Sequence, residues 1–594
     1  MFRAIGRLLA WIGGLVVVMA LLAGAGAIYR AKQKKPVPAK TVLEVNLETA
    51  LQEYAPDDPL AKLRGNEKVD LHSLTMALER AESDPRVVGM VAHLGAAKVG
   101  MAQLQELRDA VTRFRKSGKF ALAFAETFGE FGQGAGAYYL ATAFEQIWLQ
   151  PSGDVGLVGL MMEAPFVRGA LDKLGVQPRM DHRKEYKNAM NMFTETKFTP
   201  AHKESLGKIA EGVFGQMVAG IAEGRKLSAE QVRALVDRGP FLGEEAVNEH
   251  LVDRVDYRDA FYEAAKQRAG AGAELLYLER YLERAERLHQ KGKAIALIFG
   301  VGSVVRGSSQ SDPLSGDVSM GSDTVAAAFR AAIADKDVRA ILFRVDSPGG
   351  SYVASDTIWR EVVRAKAAHK PVIVSMGNVA GSGGYFVAMA ADKIVAEPAT
   401  VTGSIGVLGG KLVPTELLSK LGISIDEVHL GQNAGFFSPT RGYSDAEWAR
   451  FQAWLDRVYA DFTSKVAQGR RLTKEQVLEI AKGRIWTGED AKRIGLVDEL
   501  GGLHTALRLS KDAAGIPGSE DVELRTFPRK KSLSQRIAEK LKGKDADNSE
   551  RAEQDMQLQI QSLQSVQELL RVARSMGLYG TAHEALEMPY VPTL

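Results

Sequence analysis

An apolar run followed by a glycine-rich turn marks the second half of the chain. Residues 371–376 form a short run rich in β-branched side chains, which is typical of a buried strand. The Gly-Ser-Gly-Gly at 381–384 predicts a tight turn, and residues 385–391, apolar on every side, predict a buried helix. Ser382 is therefore expected at a strand-to-helix junction, near the positive end of a helix dipole. Because the glycines permit a sharp turn and a close approach of substrate, Ser382 is a candidate nucleophile.

The same pattern of elements occurs twice along the chain. Residues 84–111 parallel 335–362 at an offset of 251, and residues 224–232 parallel 469–477 at an offset of 245. A slowly falling offset needs only small deletions in the second copy. Apolar runs such as 294–299 and 340–345 predict strands that alternate with helices. We therefore predict two homologous α/β domains, with boundaries at about 40–285 and 290–513.

The register of this repeat assigns the candidate chemistry to the second copy. Residues 138–151 parallel 385–398, and at the same offset of 247 Ser382 lies opposite Ala135, which has no hydroxyl. The turn Ser-Pro-Gly-Gly at 347–350 lies opposite Ala-Ala-Lys-Val in the first copy. The first copy thus lacks both the serine and the Pro-Gly-Gly turn.

The N-terminal segment, residues 1–39, differs in kind from the repeat. Residues 8–28 carry no charge, are flanked by arginines and lysines, and span roughly 30 Å as a helix, the thickness of a bilayer core. This pattern predicts an N-terminal transmembrane helix followed by a linker. A cleavable signal peptide is the alternative, because the Ala-Gly-Ala-Gly-Ala at 23–27 offers small-residue cleavage sites.

The last part of the chain, residues 514–594, has no counterpart that we recognise in the repeat. Residues 529–553 are highly charged, and residues 555–576 have apolar positions spaced for one amphipathic helix. We therefore predict a charged linker followed by a C-terminal amphipathic helix.

Composition narrows the possible classes of function. A length of 594 residues is too great for one core, and a net charge of +3 gives no support for a nucleic-acid partner. The chain has no cysteine, which excludes disulfides, thiolate metal sites and a cysteine nucleophile. It also lacks the phosphate-binding Gly-x-x-x-x-Gly-Lys-Ser/Thr loop and the zinc-binding His-Glu-x-x-His motif. Nothing in the sequence calls for a cofactor or a metal.

A serine nucleophile needs a base, and histidine is the conventional one. His369 and His429 lie in the second copy, but neither has a distinctive sequence context. The Gly-x-Ser-x-Gly turn of the α/β-hydrolases is also incomplete, because Ala380 occupies its first position.

A buried lysine is the other candidate base. Desolvation disfavours the ammonium form, and lowering a lysine pKa by ~3 units costs roughly 4 kcal/mol, which an interface between two domains can supply. Lys187, in the Glu-Tyr-Lys-Asn-Ala-Met of the first copy, fits this role, with Lys184 and Lys197 as alternatives.

Acyl transfer also needs donors for the oxyanion of its tetrahedral intermediate. The loss of one such donor costs about 10²–10³-fold in rate in known hydrolases. The backbone amides of Gly349 or Gly350, together with that of Gly383 just after the nucleophile, are the natural donors. The alternative for the Gly349-Gly350 pair is a β-turn that binds nothing.

Four motifs together resemble a known family, the long form of signal peptide peptidase A, or bacterial protease IV. The resemblance covers about residues 40–513 and includes the tandem repeat and the predicted anchor. The motifs are Tyr-Lys at 186–187, Asp-Ser-Pro-Gly-Gly at 346–350, Gly-Ser-Gly-Gly-Tyr at 381–385 and Thr-Gly-Ser-Ile-Gly-Val at 402–407.

The resemblance implies a tandem duplication of a Clp protease/crotonase-like domain and a homotetramer. It implies that Ser382 is the nucleophile, that Lys187 is the general base from the opposite half of the repeat, and that Ser404 orients the lysine. The family usually has Ser directly after the lysine and Glu-Pro further on. Here Asn188 follows Lys187, and Asn191-Met192 replace the Glu-Pro pair.

The preferred prediction is a membrane-anchored serine endopeptidase with a Ser–Lys dyad that degrades cleaved signal peptides and similar apolar peptides. We expect it in the bacterial inner membrane as a single-pass protein with its catalytic domains facing the periplasm. The basic residues after the apolar segment favour the opposite orientation. Two alternatives stay open: a crotonase-like acyl-CoA enzyme, and a non-catalytic membrane scaffold built on a degenerate protease.

Overall fold

The computed structural model describes residues 35–48, 51–54, 70–95, 99–130, 132–286, 288–310, 318–528 and 586–587. Two predicted elements, the transmembrane helix at 8–28 and the amphipathic helix at 555–576, lie outside these residues. No helix within the described ranges has the length and apolar character needed to cross a membrane.

The first copy contains a parallel sheet with helices on both faces. Its strands are β1 (Thr41–Leu47), β2 (Val87–Leu94), β3 (Phe120–Ala125), β4 (Gln146–Leu149), β5 (Asp154–Val155), β6 (Gln177–His182), β7 (Phe241–Leu242), β8 (Arg254–Val255) and β9 (Glu274–Tyr277). Its helices are α1 (Leu71–Ser83), α2 (Met101–Lys116), α3 (Ala135–Ala141), α4 (Arg168–Leu174), α5 (Asn191–Thr194), α6 (Pro200–Arg225), α7 (Ala229–Val236), α8 (Gly243–Asn248), α9 (Arg258–Ala269) and α10 (Leu278–Arg284). The sheet order is β8-β4-β3-β2-β1-β9. Because apolar side chains are buried on both faces, β3 is apolar and buried along its whole length.

The second copy repeats this arrangement in a larger sheet. Its strands are β10 (Lys293–Val301), β11 (Ser303–Val305), β12 (Ser319–Gly321), β13 (Val338–Ser347), β14 (Gly349–Gly350), β15 (Val372–Gly381), β16 (Lys393–Ala396), β17 (Val401–Gly403), β18 (Leu408–Val413), β19 (Ile485–Thr487), β20 (Glu499–Leu500) and β21 (Val522–Phe527), with β22 (Leu586–Glu587) near the C-terminus. Its helices are α11 (Ser322–Ala334), α12 (Tyr352–Ala367), α13 (Gly383–Ala388), α14 (Thr415–Lys420), α15 (Asp445–Arg470), α16 (Lys474–Ile480), α17 (Gly488–Arg493) and α18 (Leu503–Ala513). The main sheet has the order β19-β17-β15-β13-β10-β21, and β16 also pairs with β15.

Three pairs of helices in the two copies match in both position and length. α1 and α2 match α11 and α12 at the offset of 251, and α6 matches α15 at the offset of 245. The long helices α6 and α15 also end alike, since each is followed by a basic residue in the left-handed conformation, Lys226 at φ 57° and Arg471 at φ 56°. The tandem duplication of an α/β domain is therefore confirmed.

The second sheet extends further along the chain than the sequence indicates. The predicted strands at 294–299 and 340–345 fall inside β10 and β13. However, β21 pairs in parallel with β10 at the sheet edge, although it lies beyond the predicted domain boundary at residue 513. That boundary is too early, because a six-residue edge strand with mixed polar and apolar side chains gives only a weak sequence signal.

A strand from each copy joins the two domains. β6 of the first copy pairs antiparallel with β18 of the second, with Asp181 opposite Gly409. The start of α2 also approaches the end of β15, where the Gln103 amide donates to Asn378 Oδ1 at 3.1 Å. These contacts bring the loop after β6 into the second copy.

A buried ion cluster adds to this domain interface. Arg344 in β13, only 1% exposed, donates from Nε to Glu53 Oε1 at 2.5 Å and from Nη2 to Glu106 Oε2 at 2.7 Å. Its Nη1 donates to Ser375 Oγ at 2.7 Å. Burial opposes the charge of Arg344, but the carboxylates of Glu106 and Glu53 outweigh it and raise the pKa of the guanidinium.

We expect Arg344→Met to lower the free energy of unfolding by about 3–5 kcal/mol, because two carboxylates of the first copy would stay buried without their cation. Denaturant titration measures this difference. Arg330→Met is the control: Arg330 is half exposed and pairs with Glu361, so its loss should cost less than about 1 kcal/mol. Equal effects of the two substitutions would contradict a structural role for the buried cluster.

Candidate active site

Ser382 lies in the turn between β15 and α13. Its backbone has φ 53° and ψ −113°, a conformation that is strained for a residue with a side chain. Hydrogen bonds hold it on both sides: its amide donates to the Gly403 carbonyl at 2.8 Å, and its carbonyl accepts from the Phe386 amide at 2.8 Å. The sequence prediction of a tight turn before a buried helix agrees with this local structure, although α13 is shorter than predicted.

Lys187 reaches this turn from the first copy. It follows β6, whose pairing with β18 sets the course of the chain. Two further backbone hydrogen bonds link the segment after β6 to the second copy. The Arg183 amide donates to the Val407 carbonyl at 2.8 Å, and the Tyr186 amide donates to the Lys482 carbonyl at 3.0 Å. The position of Lys187 is thus fixed by backbone pairing with the second copy.

The predicted residues Lys187, Ser382 and Ser404 come together in the structure. Lys187 Nζ lies 2.7 Å from Ser382 Oγ. It also lies 3.0 Å from both Ser404 Oγ and the Ser404 carbonyl oxygen. All three residues are fully buried, each with 0% exposure. The lysine amine therefore contacts the candidate nucleophile in a site closed to bulk water.

The main sheet of the second copy positions Ser404. β17 is the neighbour of β15, with Gly381 opposite Gly403, so the residue after each strand lies at the same edge. Ser404 has φ 51°, and its amide donates to the Arg484 carbonyl at 2.8 Å. Neighbouring parallel strands thus place a second hydroxyl beside Lys187, although 22 residues separate it from Ser382 along the chain.

The predicted oxyanion residues also lie close to the nucleophile. Gly349 and Gly350 adopt φ 110° and 146°, which other residues rarely do. A Cβ atom added to Gly383 would lie 3.1 Å from Gly349 Cα and from Gly350 N, so the two backbone segments are in contact. The Gly349 amide already donates to Ser347 Oγ at 3.2 Å.

A half-buried carboxyl, that of Asp346, supports this turn from the side of β13. Burial raises the pKa of Asp346 to about 7, and the nearby charge of Glu53 acts in the same direction. The amide of Val379 donates to Asp346 Oδ1 at 2.9 Å, and this hydrogen bond lowers the pKa of the carboxyl. Asp346 thus connects the ends of β13 and β15 immediately before the Gly349-Gly350 turn.

The other candidate bases are not in the site. Lys184, Lys197, His369 and His429 are all exposed, whereas Ser382 is buried. Within the described residues, no group of three or more His, Asp or Glu side chains is arranged to hold a metal ion.

Comparison with known proteins identifies the family. The model of peptidase family S49 matches residues 113–272 and 364–516, one segment in each copy. The chain belongs to peptidase family S49.

Named relatives of this S49 peptidase cover most of its length. It is 33% identical to Protease 4 of Salmonella typhi over 456 residues, which are 75% of this chain and 72% of the relative. It is 30% identical to Protease 4 of Haemophilus influenzae, over 76% of this chain and 74% of the relative. The chloroplastic serine protease SPPA of Arabidopsis thaliana is also 30% identical, over 78% of this chain and 68% of the relative. The resemblance to the long form of signal peptide peptidase A is thus confirmed, and the chain is a serine protease.

Similarity to solved structures adds little. A point mutant of ClpP1 from Listeria monocytogenes matches 36% of this chain and 94% of its own, with 15% identity and a TM-score of 0.23. These values are too low to carry any conclusion about the fold. The likeness to the Clp protease/crotonase superfamily therefore stays a prediction.

Two glycines of the S49 peptidase, Gly406 and Gly483, make room for Lys187. A Cβ atom on Gly406 would lie 3.2 Å from Lys187 Cδ. One on Gly483 would lie 2.5 Å from the Lys187 backbone nitrogen. Gly406 belongs to the Thr-Gly-Ser-Ile-Gly-Val motif at 402–407, whereas nothing in the sequence distinguishes Gly483 among the 59 glycines of the chain.

We expect Gly483→Ala to lower kcat/KM by about 10²-fold, because the new methyl group would push Lys187 away from Ser382. Assays on an apolar fluorogenic peptide measure the loss. Gly118→Ala is a matched control: its φ of 86° is close to the 82° of Gly483, but a Cβ there would meet nothing within 4 Å. Both substitutions introduce similar backbone strain, so the control should lose stability and keep its activity. An equal loss of activity in both would contradict the positioning role of Gly483.

Proposed function

We propose that the chain is a membrane-anchored serine endopeptidase in which Ser382 is the nucleophile and Lys187 the general base. The observation that carries this proposal is the 2.7 Å contact between Lys187 Nζ and Ser382 Oγ. A base must lie within hydrogen-bond reach of the proton that it removes, and this amine does. The neutral amine is the form that can accept this proton.

The proposed reaction has two halves. In the first, Lys187 takes the proton of the Ser382 hydroxyl while Oγ attacks the carbonyl carbon of the scissile peptide bond. The backbone amides of Gly350 and Gly383 donate to the oxyanion, since the Gly349 amide is already bound to Ser347 Oγ. Lys187 then gives its proton to the leaving amine, which breaks the C–N bond and leaves an ester on Ser382.

In the second half, water cleaves the ester. Lys187 removes a proton from the water as its oxygen attacks the ester carbonyl, and then returns that proton to Ser382 Oγ. The ammonium form exists briefly in each half, and the Ser404 hydroxyl and carbonyl oxygens, both 3.0 Å from Nζ, stabilise it. Ser404 is therefore proposed as the residue that orients the lysine.

The proposed substrates are cleaved signal peptides and similar apolar peptides. We propose that residues 8–28 anchor the chain as a single span in the bacterial inner membrane, with the catalytic domains facing the periplasm. An active site anchored to the membrane lies close to the signal peptides that are released there. Carbonate extraction of membranes, followed by protease protection in spheroplasts, tests the anchor and its orientation.

A serine-reactive phosphonate provides the test of the catalytic proposal. Peptide mapping by mass spectrometry should find the phosphonate on Ser382 in the wild-type chain, with loss of peptidase activity in proportion to labelling. Absence of labelling together with turnover of acyl-CoA thioesters would favour the crotonase-like alternative. Absence of both activities would favour the scaffold.

We also propose that the chain assembles as a homotetramer. The segment 421–437 exposes large apolar side chains. Four of them are at least 65% exposed: Leu421, Val428, Leu430 and Phe437. Large apolar side chains exposed in one segment are typical of a protein–protein contact. Contact with another copy of the chain would remove these side chains from water.

We expect the double substitution Val428→Asp and Leu430→Asp to abolish the tetramer, because each charge would have to be buried in the contact. Sedimentation velocity of the detergent-solubilised chain measures the change in mass. Leu242→Asp is the control, since Leu242 is 70% exposed and lies outside this segment. A wild-type chain that sediments as a monomer, or a tetramer that survives both aspartates, would contradict the proposal.

A further inference from the structure

The first copy has a cavity at the place where the second copy has its active site. Ala135, the counterpart of Ser382 at the offset of 247, lines this cavity. So does Val99, the counterpart of Gly350 at the offset of 251. The cavity encloses about 780 Å³ of empty space, its open mouth included. Ligand pockets commonly have volumes of about 300–1,000 Å³, so the duplicated domain has kept a concave site of useful size.

Apolar side chains replace the catalytic groups in this cavity. Leu104, Leu107, Leu140 and Met217 are part of its wall, and each is at most 4% exposed. Among the described residues that line the cavity, Gln133 is the one with a polar side chain, and it is exposed to solvent. This lining provides neither a nucleophile nor a base for acyl transfer, but it suits an apolar group that leaves water.

The cavity lies beside the strand that leads to the nucleophile. Met101, at the start of α2, lines the cavity, and a Cβ atom on the preceding Gly100 would lie 2.2 Å from Asn378 Cγ near the end of β15. Val379 of β15 packs against the same hydrophobic cluster as Met101. Asn378 is four residues before Ser382, and four residues of a strand span about 13 Å. The cavity and the active site are therefore neighbours across the domain interface.

We propose that this cavity is a second, non-catalytic subsite, which binds an apolar side chain of a peptide substrate about six to eight residues from the bond that is cut. The proposal rests on the proposed function and adds to it a preference for long apolar peptides. Six to eight residues of extended chain span about 20–26 Å, which is enough to pass the end of β15 and enter the first copy. Removal of one large apolar side chain from water favours binding by about tenfold or more.

Peptides that differ only at their remote positions test this subsite. Two fluorogenic peptides share the residues around the cleaved bond. One carries leucine and the other serine at the positions about six to eight residues away on either side. We expect the wild-type chain to cleave the leucine peptide with a kcat/KM about tenfold higher than that for the serine peptide, mainly through a lower KM.

A substitution that fills the cavity should remove this preference. Ala137 is a half-buried residue of α3 that lines the cavity, so Ala137→Leu places a larger side chain inside it. The matched control is Ala264→Leu, because Ala264 is also a half-buried alanine in a helix, α9, but lies outside the cavity. The control should keep the tenfold preference. A wild-type chain with no preference, or an equal preference in Ala137→Leu and the wild type, would overturn the inference.

Photo-crosslinking locates the remote side chain without activity and without a cavity variant. A leucine peptide with a diazirine on its remote leucines is added to the Ser382→Ala chain, and peptide mapping finds the attachment points. We expect them at 133–140, at 159–160 or at Met217. Attachment only outside the cavity would overturn the inference, and so would a cavity closed to peptide by another copy of the chain. If the wild-type chain cleaves neither peptide, the proposed function fails, while the crosslinks still decide whether the cavity binds apolar peptides.

Discussion

Ser382→Ala is expected to lower kcat on an apolar peptide by about 10⁴-fold or more, since the variant lacks the oxygen that forms the acyl-enzyme. Residual activity above that of water comes from the oxyanion donors and from substrate binding, which the variant keeps. The alanine side chain fits the same turn, so the thermal unfolding profile should resemble that of the wild type. Steady-state assays with enzyme at high concentration measure the loss.

The control for this prediction is a serine that is equally buried but remote from the site. Ser510 in α18 is 0% exposed, and its hydroxyl donates to the Ala506 carbonyl at 2.8 Å. Ser510→Ala should keep activity within about twofold of the wild type, because the bond that it loses is worth only about 1 kcal/mol of stability. Peptidase activity in Ser382→Ala equal to that of Ser510→Ala would eliminate Ser382 as the nucleophile.

The sequence predicts the part of the site that is local along the chain. The apolar run, the glycines and the apolar helix around Ser382 are contiguous, and each specifies its own backbone conformation. Ser404 differs, because only the family resemblance indicated its role. The structure places it beside Ser382 because β17 is the neighbouring strand of β15.

Lys187 illustrates what local patterns cannot specify. Its partner Ser382 lies 195 residues further along the chain, and the two meet through the pairing of β6 with β18. β6 reads Gln-Pro-Arg-Met-Asp-His, which has neither the apolar alternation nor the β-branched content of a typical strand. The residues alone favour Lys187 but leave Lys184 and Lys197 as alternatives, and only the family resemblance decides among the three.

The domain interface gives a second example. Arg344 stands within the apolar strand β13, and a charged residue in such a run suggests a buried ion pair. Its partners, Glu53 and Glu106, lie in the other copy, and nothing in their local sequence indicates that they pair with an arginine. Burial of the arginine was therefore predictable in principle, but the identity of its partners depends on how the two domains pack.

Lys187→Met is expected to lower kcat by about 10³-fold or more while the chain stays folded. A positioned general base contributes about 10²–10⁴-fold, and here the same group would also protonate the leaving amine. Methionine has nearly the length and volume of lysine and needs no hydrogen-bond partner. The free energy of unfolding should therefore stay within about 1.5 kcal/mol of the wild type, even though Ser382 and Ser404 lose a partner.

Lys187→Arg separates a base from a mere positive charge. A guanidinium keeps the charge and can donate to Ser404, but it does not lose its proton in a protein, so it cannot accept one from Ser382. We expect this variant to be as inactive as Lys187→Met. Lys184 and Lys197 are exposed, so the variants Lys184→Met and Lys197→Met should keep full activity. kcat measurements on all four variants at one pH make the comparison. Only a neutral amine can remove the serine proton. Full activity in Lys187→Arg would therefore show that the charge of Lys187 is needed and that its basicity is not.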